Sequence, residues 1–407
     1  MRVLLVGSGG REHALAWKLS QGSGLSELHA APGNPGIAQL GHCHPVRAED
    51  GEGLLDLAHS LRADLVVVGP EAPLVAGVAD ELRHAGVAVF GPGEAAARIE
   101  GSKAFAKDVM RAAGIPTAET LSVARPPCVL KVDGLAAGKG VFVCPDQPSL
   151  EAALQEAARL GQPLVIEELL DGDELSLFAL ADGRDALPLA PARDYKRAGD
   201  DDTGPNTGGM GSYSPVPEVG DAEVEELVAT VHRPALEELA RRGSPFVGLL
   251  YAGLMLTEAG PKVLEFNCRF GDPETQSILP RLRGDLLDAL AAAAHGDLEA
   301  GALDAAADEA CVTVVLAGAD YPAHSDSGTP IAGVDAAEAG GALVFHAGTA
   351  MRGDQLVTNG GRVLNVTAVG GSLEEARERA YAACETISFE GMRFRRDIAA
   401  RAVNVGT

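Results

Sequence analysis

Residues 128–140 read Cys-Val-Leu-Lys-Val-Asp-Gly-Leu-Ala-Ala-Gly-Lys-Gly. The first five are apolar apart from Lys131, which predicts a buried strand over Cys128–Val132, and the glycines predict a loop over Asp133–Gly140. A lysine in a buried strand costs free energy unless its ammonium meets a fixed anion. We therefore expect Lys131 to face an anion-binding site; the alternative is an edge-strand lysine that reaches water.

The glycine-rich loop is similar to a Walker A phosphate loop, but its spacing differs. Three residues separate Gly134 from Gly138, where a Walker A loop has four. Gly140 follows Lys139 at the position where Ser or Thr would hold magnesium. The segment is therefore not a P-loop.

Two segments downstream carry candidate ligands. Glu167 and Glu168 end an apolar run, which predicts either a solvated turn or a strand edge that contacts a nucleotide. Glu265 and Asn267 are two residues apart on a predicted strand, so both point to one face, and Arg269 follows. A carboxylate and an amide oxygen suit a hard cation such as magnesium, with phosphate oxygens and water as the other ligands. The alternative is a hydrogen-bonded structural pair.

The first hundred residues alternate short apolar runs with helical stretches. Continuous apolar runs predict strands buried on both faces, as in a parallel sheet covered by helices. Ligands of such sheets bind at the carboxyl ends of the strands, so we expect the loops there to form a binding crevice. Each run ends in Gly or Pro, and the four runs are Val3–Val6, Leu28–Ala31, Leu65–Val68 and Val87–Phe90.

The first of these loops, Gly7-Ser8-Gly9-Gly10, is similar to a dinucleotide fingerprint, but Glu12 stands where a third glycine is required. A glycine-rich turn before a helix still offers backbone N–H groups to a phosphate. We therefore expect phosphate binding there, with a merely tight turn or a nicotinamide site as the alternatives.

The rest of the chain has the pattern of a mixed α+β protein. We expect a helix over about Ala222–Arg242, a hairpin of Leu249–Leu256 and Val263–Asn267, and a turn at Asn359-Gly360. The stretch Arg193–Pro217 is rich in Gly and Asp, and we expect a long irregular loop with a functional role.

The composition excludes several classes of protein. The 407 residues contain 33 Lys and Arg against 58 Asp and Glu, a formal net charge of −25, whereas proteins that bind nucleic acids or anionic membranes usually carry basic surfaces. The hydrophobic content of 46% is that of a globular chain, and the length predicts two to three domains. No run of about 18 apolar residues is present. The six cysteines form no CxxC pair, which is typical of reduced thiols in a cytosol.

In combination these motifs resemble the ATP-grasp superfamily, and within it the phosphoribosylamine–glycine ligase family. The resemblance extends from Met1 to about Arg401. Besides the Lys131 loop, it rests on the strings Gly7-Ser-Gly-Gly-Arg-Glu-His-Ala14, Ala31-Pro-Gly-Asn34, Val68-Gly-Pro-Glu-Ala-Pro-Leu74, Thr203-Gly-Pro-Asn-Thr-Gly-Gly-Met-Gly211 and Glu265-Phe-Asn-Cys-Arg-Phe-Gly-Asp-Pro-Glu274.

The resemblance implies an ATP-grasp fold of mixed α/β and α+β class. An N-terminal α/β domain with a parallel sheet, residues 1–100, would bind substrate. An ATP-grasp domain would follow over residues 101–308, with a lid subdomain at about 117–190, and a small C-terminal α+β domain over 309–407. The connections Leu121–Pro127 and Leu160–Pro163 are shorter than the family usually carries, so we expect a reduced lid over the ATP phosphates.

The resemblance also implies the reaction. ATP phosphorylates the carboxylate of glycine, and the amine of 5-phosphoribosylamine attacks the glycyl phosphate, giving glycinamide ribonucleotide, ADP and phosphate in purine biosynthesis. No protein nucleophile is required, so catalysis would consist of positioning and charge stabilisation. We expect magnesium or manganese as cofactor, and a monomer in the cytoplasm that binds neither nucleic acid nor membrane.

The family's roles carry over to matching positions. Lys131 and Arg269 would be catalytic, and Glu265 and Asn267 would hold the metal. ATP would be bound by Lys103, Lys131, Gly138, Lys139, Gly140, Glu167, Glu168, Leu169 and Glu174, with backbone groups of Glu167 and Leu169 at the adenine and Glu174 at the ribose. The substrates would be bound by Gly9, Gly10, Asn34, Gly36, Glu71, Pro73, Asp194, Lys196, Asn206, Arg269 and Asp272.

Three competing functions have sequence features against them. A carboxylase-like enzyme of the same superfamily would phosphorylate bicarbonate, but the Gly204–Met210 and Glu71-Ala72-Pro73 strings count against it. A nicotinamide oxidoreductase requires a fingerprint that Glu12 breaks. A non-catalytic nucleotide-binding module does not need Lys131 and the Glu265–Arg269 segment together.

Overall fold

A computed structural model describes residues 1–135, 140–299, 301–303 and 308–405. The N-terminal strands form one parallel sheet in the order β3-β2-β1-β4-β5. This confirms the parallel sheet expected from the apolar runs, and the structure adds the short edge strand β3. The strands are β1 (Arg2–Gly7), β2 (Glu27–Pro32), β3 (His42–Cys43), β4 (Leu65–Val68) and β5 (Val89–Phe90), and the helices are α1 (Gly10–Leu19), α2 (Gly51–Leu61), α3 (Glu71–Val75), α4 (Val78–His84) and α5 (Glu94–Gly101).

A small antiparallel sheet carries the lysine strand. After α6 (Lys103–Ala113), strands β6 (Cys128–Val132), β7 (Val141–Cys144) and β8 (Leu164–Glu168) pair in the order β7-β6-β8. Helix α7 (Gln147–Leu160) covers one face of this sheet. Lys131 therefore lies on the central strand, and the edge-strand alternative is wrong.

A four-stranded antiparallel sheet, in the order β10-β9-β15-β16, carries the predicted metal ligands. Its strands are β9 (Asp173–Asp182), β10 (Ala186–Pro188), β15 (Val247–Thr257) and β16 (Gly260–Asn267). The register of β16 against β15 shifts between Gly253 and Leu254, so that Leu264 is an extra residue on β16. Such a bulge re-aims the neighbouring groups of a strand.

The stretch Arg193–Pro217 is more regular than expected. It forms β11 (Arg193–Asp194), the β12 (Arg197–Gly199) and β13 (Thr203–Asn206) pair, and β14 (Gly211–Ser214). Strands β11 and β14 extend a five-stranded antiparallel sheet whose other strands lie in the last hundred residues. The partner of β14 in the last hundred residues lies about a hundred residues further along the chain, so local composition does not reveal this pairing.

That sheet has the order β11-β14-β17-β22-β19, and a three-stranded sheet β18-β21-β20 lies beside it. The predicted turn at Asn359-Gly360 is wrong, because both residues lie in β21, and the two-residue turn is Gly353-Asp354. The elements are β17 (Ala310–Ala317), β18 (Asp326–Pro330), α12 (Val334–Ala339), β19 (Leu343–His346), β20 (Thr349–Arg352), β21 (Gln355–Gly360), β22 (Arg362–Gly370), α13 (Leu373–Cys384) and α14 (Ala400–Val405).

The helix expected over Ala222–Arg242 is divided. Two α-helices flank a π-helical turn at Val228–His232. Pro234 has no N–H for the ladder, which accounts for the irregular turn just before it. The remaining helices are α8 (Asp221–Leu227), α9 (Arg233–Arg241), α10 (Glu274–Ile278) and α11 (Leu286–His295). Among the described helices, none is long and apolar enough to cross a membrane.

Candidate active site

The ammonium of Lys131 meets a fixed anion, as the sequence predicts. Its Nζ lies 2.7 Å from Oε2 of Glu167 and donates to the carbonyl of Leu264 across 2.7 Å. A second ammonium, that of Lys107, lies 2.8 Å from Oε1 of the same carboxylate. The three charged side chains are buried, and the bond to Leu264 joins the small sheet to the bulge of β16.

The glycine-rich loop is fastened to the start of α6. Lys103 donates from Nζ to the carbonyl of Gly134 across 2.6 Å, and Ala104 N–H donates to Oδ1 of Asp133 across 3.3 Å. Gly134 has φ +125°, which a residue with a side chain rarely adopts. Gly138 and Lys139 lie outside the described residues, and Gly140 is buried.

The end of β8 carries the segment predicted to face adenine. Glu168 is held by Lys262, whose Nζ lies 2.7 Å from Oε1, and by the backbone N–H of Glu119. These hydrogen bonds lower the pKa of Glu168. Leu169 follows the strand and exposes 36% of its surface. The solvated-turn alternative does not hold for Glu167, which is buried.

The side chains of Glu265 and Asn267 accept no hydrogen bond within the described part of the chain. Burial raises the pKa of Glu265, but Lys196 and Lys131 outweigh it and leave that pKa below its ordinary value. The carboxylate is therefore ionised, and the alternative of a hydrogen-bonded structural pair has no support in the described contacts. A carboxylate and an amide oxygen on one strand face fit a hard divalent cation.

A cluster of charges lies beside this pair. Lys196 forms an ion pair with Glu174. Burial by itself would lower the pKa of Lys196, but Glu174 and Asp194 raise it well above its ordinary value. Burial raises the pKa of Asp194 to about 8; Lys196 opposes this increase, and Glu274 and other carboxylates add to it. The structure thus brings Glu174, Asp194 and Lys196 together next to Glu265.

The first N-terminal loop is occupied by a side chain of its own helix. Glu12 accepts a hydrogen bond from Gly9 N–H across 2.6 Å, and its other oxygen accepts from Arg11 Nε. A Cβ on Gly69 would lie 2.3 Å from Oε1 of Glu12, so two glycine loops close around this carboxylate. Glu12 therefore takes the amide of Gly9, and phosphate binding by the other amides of the loop stays a prediction.

The other predicted substrate residues of the first domain lie in tightly packed parts of the structure. Asn34 is buried, and its amide bonds to Ser8 O, to the backbone of Gly36 and to His346 O, so it shapes the loop with its own contacts. Gly10 and Gly36 allow neighbouring side chains to approach the backbone closely. A Cβ on Gly10 would lie 2.0 Å from Nδ2 of Asn365, and a Cβ on Gly36 would lie 2.1 Å from Cε1 of His13. Pro73 is buried within α3.

Arg269 bridges two carboxylates. Its Nε donates to Oε2 of Glu71 across 3.2 Å, and its Nη2 lies 3.3 Å from Oε1 of Glu100. Burial would lower the pKa of Arg269, but Glu100 and Glu71 raise it above its ordinary value. The guanidinium is therefore permanently charged and held between α3, α5 and β16.

Asp272 is bound by the last domain. Its Oδ2 lies 2.9 Å from Nη2 of Arg362, which also donates to Asp272 O. A Cβ on Gly9 would lie 3.9 Å from the same Oδ2, so Asp272 borders the first loop. Asn206, at the end of β13, donates to Val141 O across 3.5 Å and so reaches the exit of the glycine-rich loop.

Sequence reasoning missed several members of this site. Lys107 follows Lys103 by four residues, so both lie on one face of α6; in a chain with seven lysines that spacing was a usable signal. Glu100 and Arg362 had no such signal, because their partners are 169 and 90 residues away.

Three family models match nearly the whole chain. They describe the N domain of phosphoribosylglycinamide synthetase (residues 1–100), its ATP-grasp (A) domain (101–275) and its C domain (311–401). Among solved structures under 25% identical, the biotin carboxylase domain of the Hydrogenobacter thermophilus 2-oxoglutarate carboxylase (17% identity, TM-score 0.71, 97% of this chain and 91% of that one) shares the fold.

Curated relatives carry one name. The phosphoribosylamine–glycine ligases of Streptomyces coelicolor and Rhizobium meliloti are 52% and 49% identical, each over 99% of both chains. The crystal structure of the Thermotoga maritima phosphoribosylamine–glycine ligase is 36% identical, with a TM-score of 0.83, and covers 98% of this chain and 100% of that one. The chain belongs to the phosphoribosylamine–glycine ligase family of ATP-grasp enzymes.

Proposed function

We propose that this chain is an ATP-dependent carbon–nitrogen ligase that joins glycine to 5-phosphoribosylamine. The products are glycinamide ribonucleotide, ADP and phosphate. The observation that carries the proposal is the convergence at β16: Lys131 of the small sheet bonds the bulge residue Leu264, directly before Glu265 and Asn267. The ammonium of Lys131 thus lies beside the two proposed metal ligands. The phosphates of ATP would be bound by the ammonium and by the metal ion together.

The nucleotide is bound between the small sheet and the four-stranded sheet. Lys103 and Lys131 contact its phosphates, and Gly138, Lys139 and Gly140 close over them. The backbone of Glu167 and Leu169 meets the adenine, with Glu168 beside it, and Glu174 meets the ribose. The exposed position of Leu169 and the anchoring of the loop through Lys103 support this placement.

Glu265 and Asn267 would hold one magnesium or manganese ion. When bound, the ion would neutralise charge at the phosphate oxygens. The ionised carboxylate of Glu265 and the amide oxygen of Asn267, on one face of β16, support this assignment.

The first step forms a bond between a glycine carboxylate oxygen and the γ-phosphorus of ATP and breaks the bond to ADP. In the second step the amine of phosphoribosylamine forms the C–N bond, phosphate leaves with the electron pair of the C–O bond, and the amine loses one proton. Arg269 stabilises the charge of the transferring group. A single fixed donor of this kind lowers a barrier by roughly 3–4 kcal/mol.

The loops of the parallel sheet receive phosphoribosylamine. Glu71 holds Arg269, and the glycines allow close approach of the ligand to the backbone. Asp194, Lys196, Asn206 and Asp272 place glycine and the phosphates. The set for phosphoribosylamine is Gly9, Gly10, Asn34, Gly36, Glu71 and Pro73.

We retain the division into residues 1–100, 101–308 with a lid at about 117–190, and 309–407 as part of the proposal. It is supported by the separate sheets, although β11 and β14 cross from the middle segment into the last sheet. All six cysteines are free thiols, which supports action in the cytoplasm. We also propose a monomer.

The test is ADP release by the full chain with ATP, magnesium, glycine and freshly generated phosphoribosylamine. We expect release that requires both glycine and phosphoribosylamine. ADP release that does not depend on added glycine, or that requires bicarbonate, would overturn the ligase proposal in favour of a carboxylase-like activity.

A further inference from the structure

Lys107 belongs to none of the site segments that the sequence indicated, yet it shares the Glu167 carboxylate with Lys131. The two ammonium groups lie 2.8 and 2.7 Å from opposite oxygens of Glu167. All three side chains expose less than a tenth of their surface. One carboxylate thus serves two ammonium groups in a nearly dry location.

The two lysines differ in how firmly they are held. An ammonium has three donors. Lys107 uses all three, on Glu167, on Thr117 Oγ1 across 2.9 Å and on Ala118 O. Lys131 has two acceptors in the part of the chain described, Glu167 and Leu264 O. Lys107 is therefore fixed by three acceptors, whereas Lys131, with two acceptors among the described residues, can turn from Glu167 towards another anion.

We propose that Lys107 is a positioning residue for nucleotide binding, which holds Glu167 so that the ammonium of Lys131 is available to a phosphate. The proposal rests on the nucleotide site proposed above. With Lys107 in place, Lys131 leaves the carboxylate for a phosphate and Glu167 keeps a counter-ion. Without Lys107, the same movement leaves a buried carboxylate unpaired, which is strongly unfavourable.

The sharing of one carboxylate has a second consequence. A nucleotide phosphate beside Lys131 gives this ammonium an anion of its own, while Glu167 stays paired with Lys107. The benefit of Lys107 therefore depends on the phosphates of the ligand and not on its base. This separates a positioning role from a general contribution to folding, which would affect all ligands of the cleft alike.

The experiment measures binding of magnesium ATP and of adenosine to the full chain by isothermal titration calorimetry. For Lys107→Met we expect ATP to bind at least tenfold more weakly, while adenosine binding stays within about twofold of the wild type. Adding Glu167→Gln removes the carboxylate that sequesters Lys131 and restores ATP binding to within about threefold. Lys18→Met, which removes a lysine bonded to Leu282 O, is the matched control.

Three results would overturn the proposal: unchanged ATP affinity in Lys107→Met, equal weakening of ATP and adenosine, or no recovery in the double variant. If Lys107→Met does not fold, Glu167→Gln alone decides: it frees Lys131, so ATP should bind at least as tightly as to the wild type, and weaker ATP binding contradicts the role. A wild-type chain that binds no ATP would instead reject the proposed nucleotide site itself.

Discussion

Arg269 donates from Nε to Oε2 of Glu71 across 3.2 Å, and this contact joins the segment after β16 to the loops of the parallel sheet. Glu100, which also accepts from Cys268 N–H, holds the other side of the guanidinium. The arginine is therefore oriented before any substrate arrives. Such preorganisation lets a charged donor act in the transition state without reorganisation.

The Glu71–Arg269 contact predicts a pH dependence of stability. Burial by itself would raise the pKa of Glu71, but Arg269 and Arg11 outweigh it and lower the pKa to about 2 from an ordinary 4.5. A depressed carboxylate pKa contributes stability that is complete above pH 4.5 and is lost as the pH falls towards 2. We expect the stability difference between the wild type and Glu71→Gln to shrink by on the order of 1 kcal/mol between pH 7 and pH 4.

Urea unfolding at several pH values measures this difference. Glu49→Gln, at an exposed position ahead of α2, serves as the control and should show no comparable change. A difference for Glu71→Gln that stays constant down to pH 4 would contradict the depressed pKa.

Removal of the proposed metal ligand Glu265 should abolish turnover without loss of the fold. In Glu265→Ala the proposed cation site loses its carboxylate, and we expect a loss of several kcal/mol of transition-state stabilisation, which lowers kcat by roughly a thousandfold. Circular dichroism should be unchanged. Glu258→Ala, at the exposed turn of the same hairpin, should retain full activity. If Glu265→Ala keeps wild-type activity at low magnesium, Glu265 is not a ligand.

Arg362 should control the substrate side of the site and leave the nucleotide side unaffected. It donates to Oδ2 of Asp272 and to the carbonyls of Gly208 and Gly209, so Arg362→Met removes a donor from each of them and leaves Asp272 bonded through Oδ1 to Gln276. We expect the KM for phosphoribosylamine to rise about tenfold, equivalent to roughly 1.4 kcal/mol, while the KM for ATP is unchanged. Steady-state kinetics checks this, with the exposed Arg352→Met as control. Equal increases in the KM values for phosphoribosylamine and ATP would contradict the prediction that Arg362 affects only the binding of phosphoribosylamine.

Elements bounded by local signals were predictable from the sequence. Strand β6 covers Cys128–Val132 as predicted, because its apolar run is limited by Pro127 and by the Asp133-Gly134 pair. Lys131 was singled out because a lysine inside such a run needs an anion. The identity of that anion was not predictable, since Glu167 reaches it only through the pairing of β6 with β8.

Features that depend on distant partners were not predictable. Asn359-Gly360 has the composition of a tight turn, but Asn359 N–H donates to Gly348 O and the segment continues as a strand. Tertiary hydrogen bonds therefore override the local preference. Glu12 could be seen to break the fingerprint, but its bond to Gly9 N–H requires the capping geometry of α1.

The small sheet should open more readily than the rest of the protein. Its core contains five buried residues, separate from the two larger clusters: Cys128, Leu130, Cys144, Leu150 and Ala153. Leu130→Ala removes the central side chain and should lower the local opening free energy by about 2–5 kcal/mol. Hydrogen exchange of the amides in β6–β8 should then accelerate at least thirtyfold, with the amides of β1 unaffected. Val143→Ala, at a position 41% exposed on the same sheet, should change exchange little. Equal acceleration in β1 would mean that the sheet unfolds together with the parallel domain.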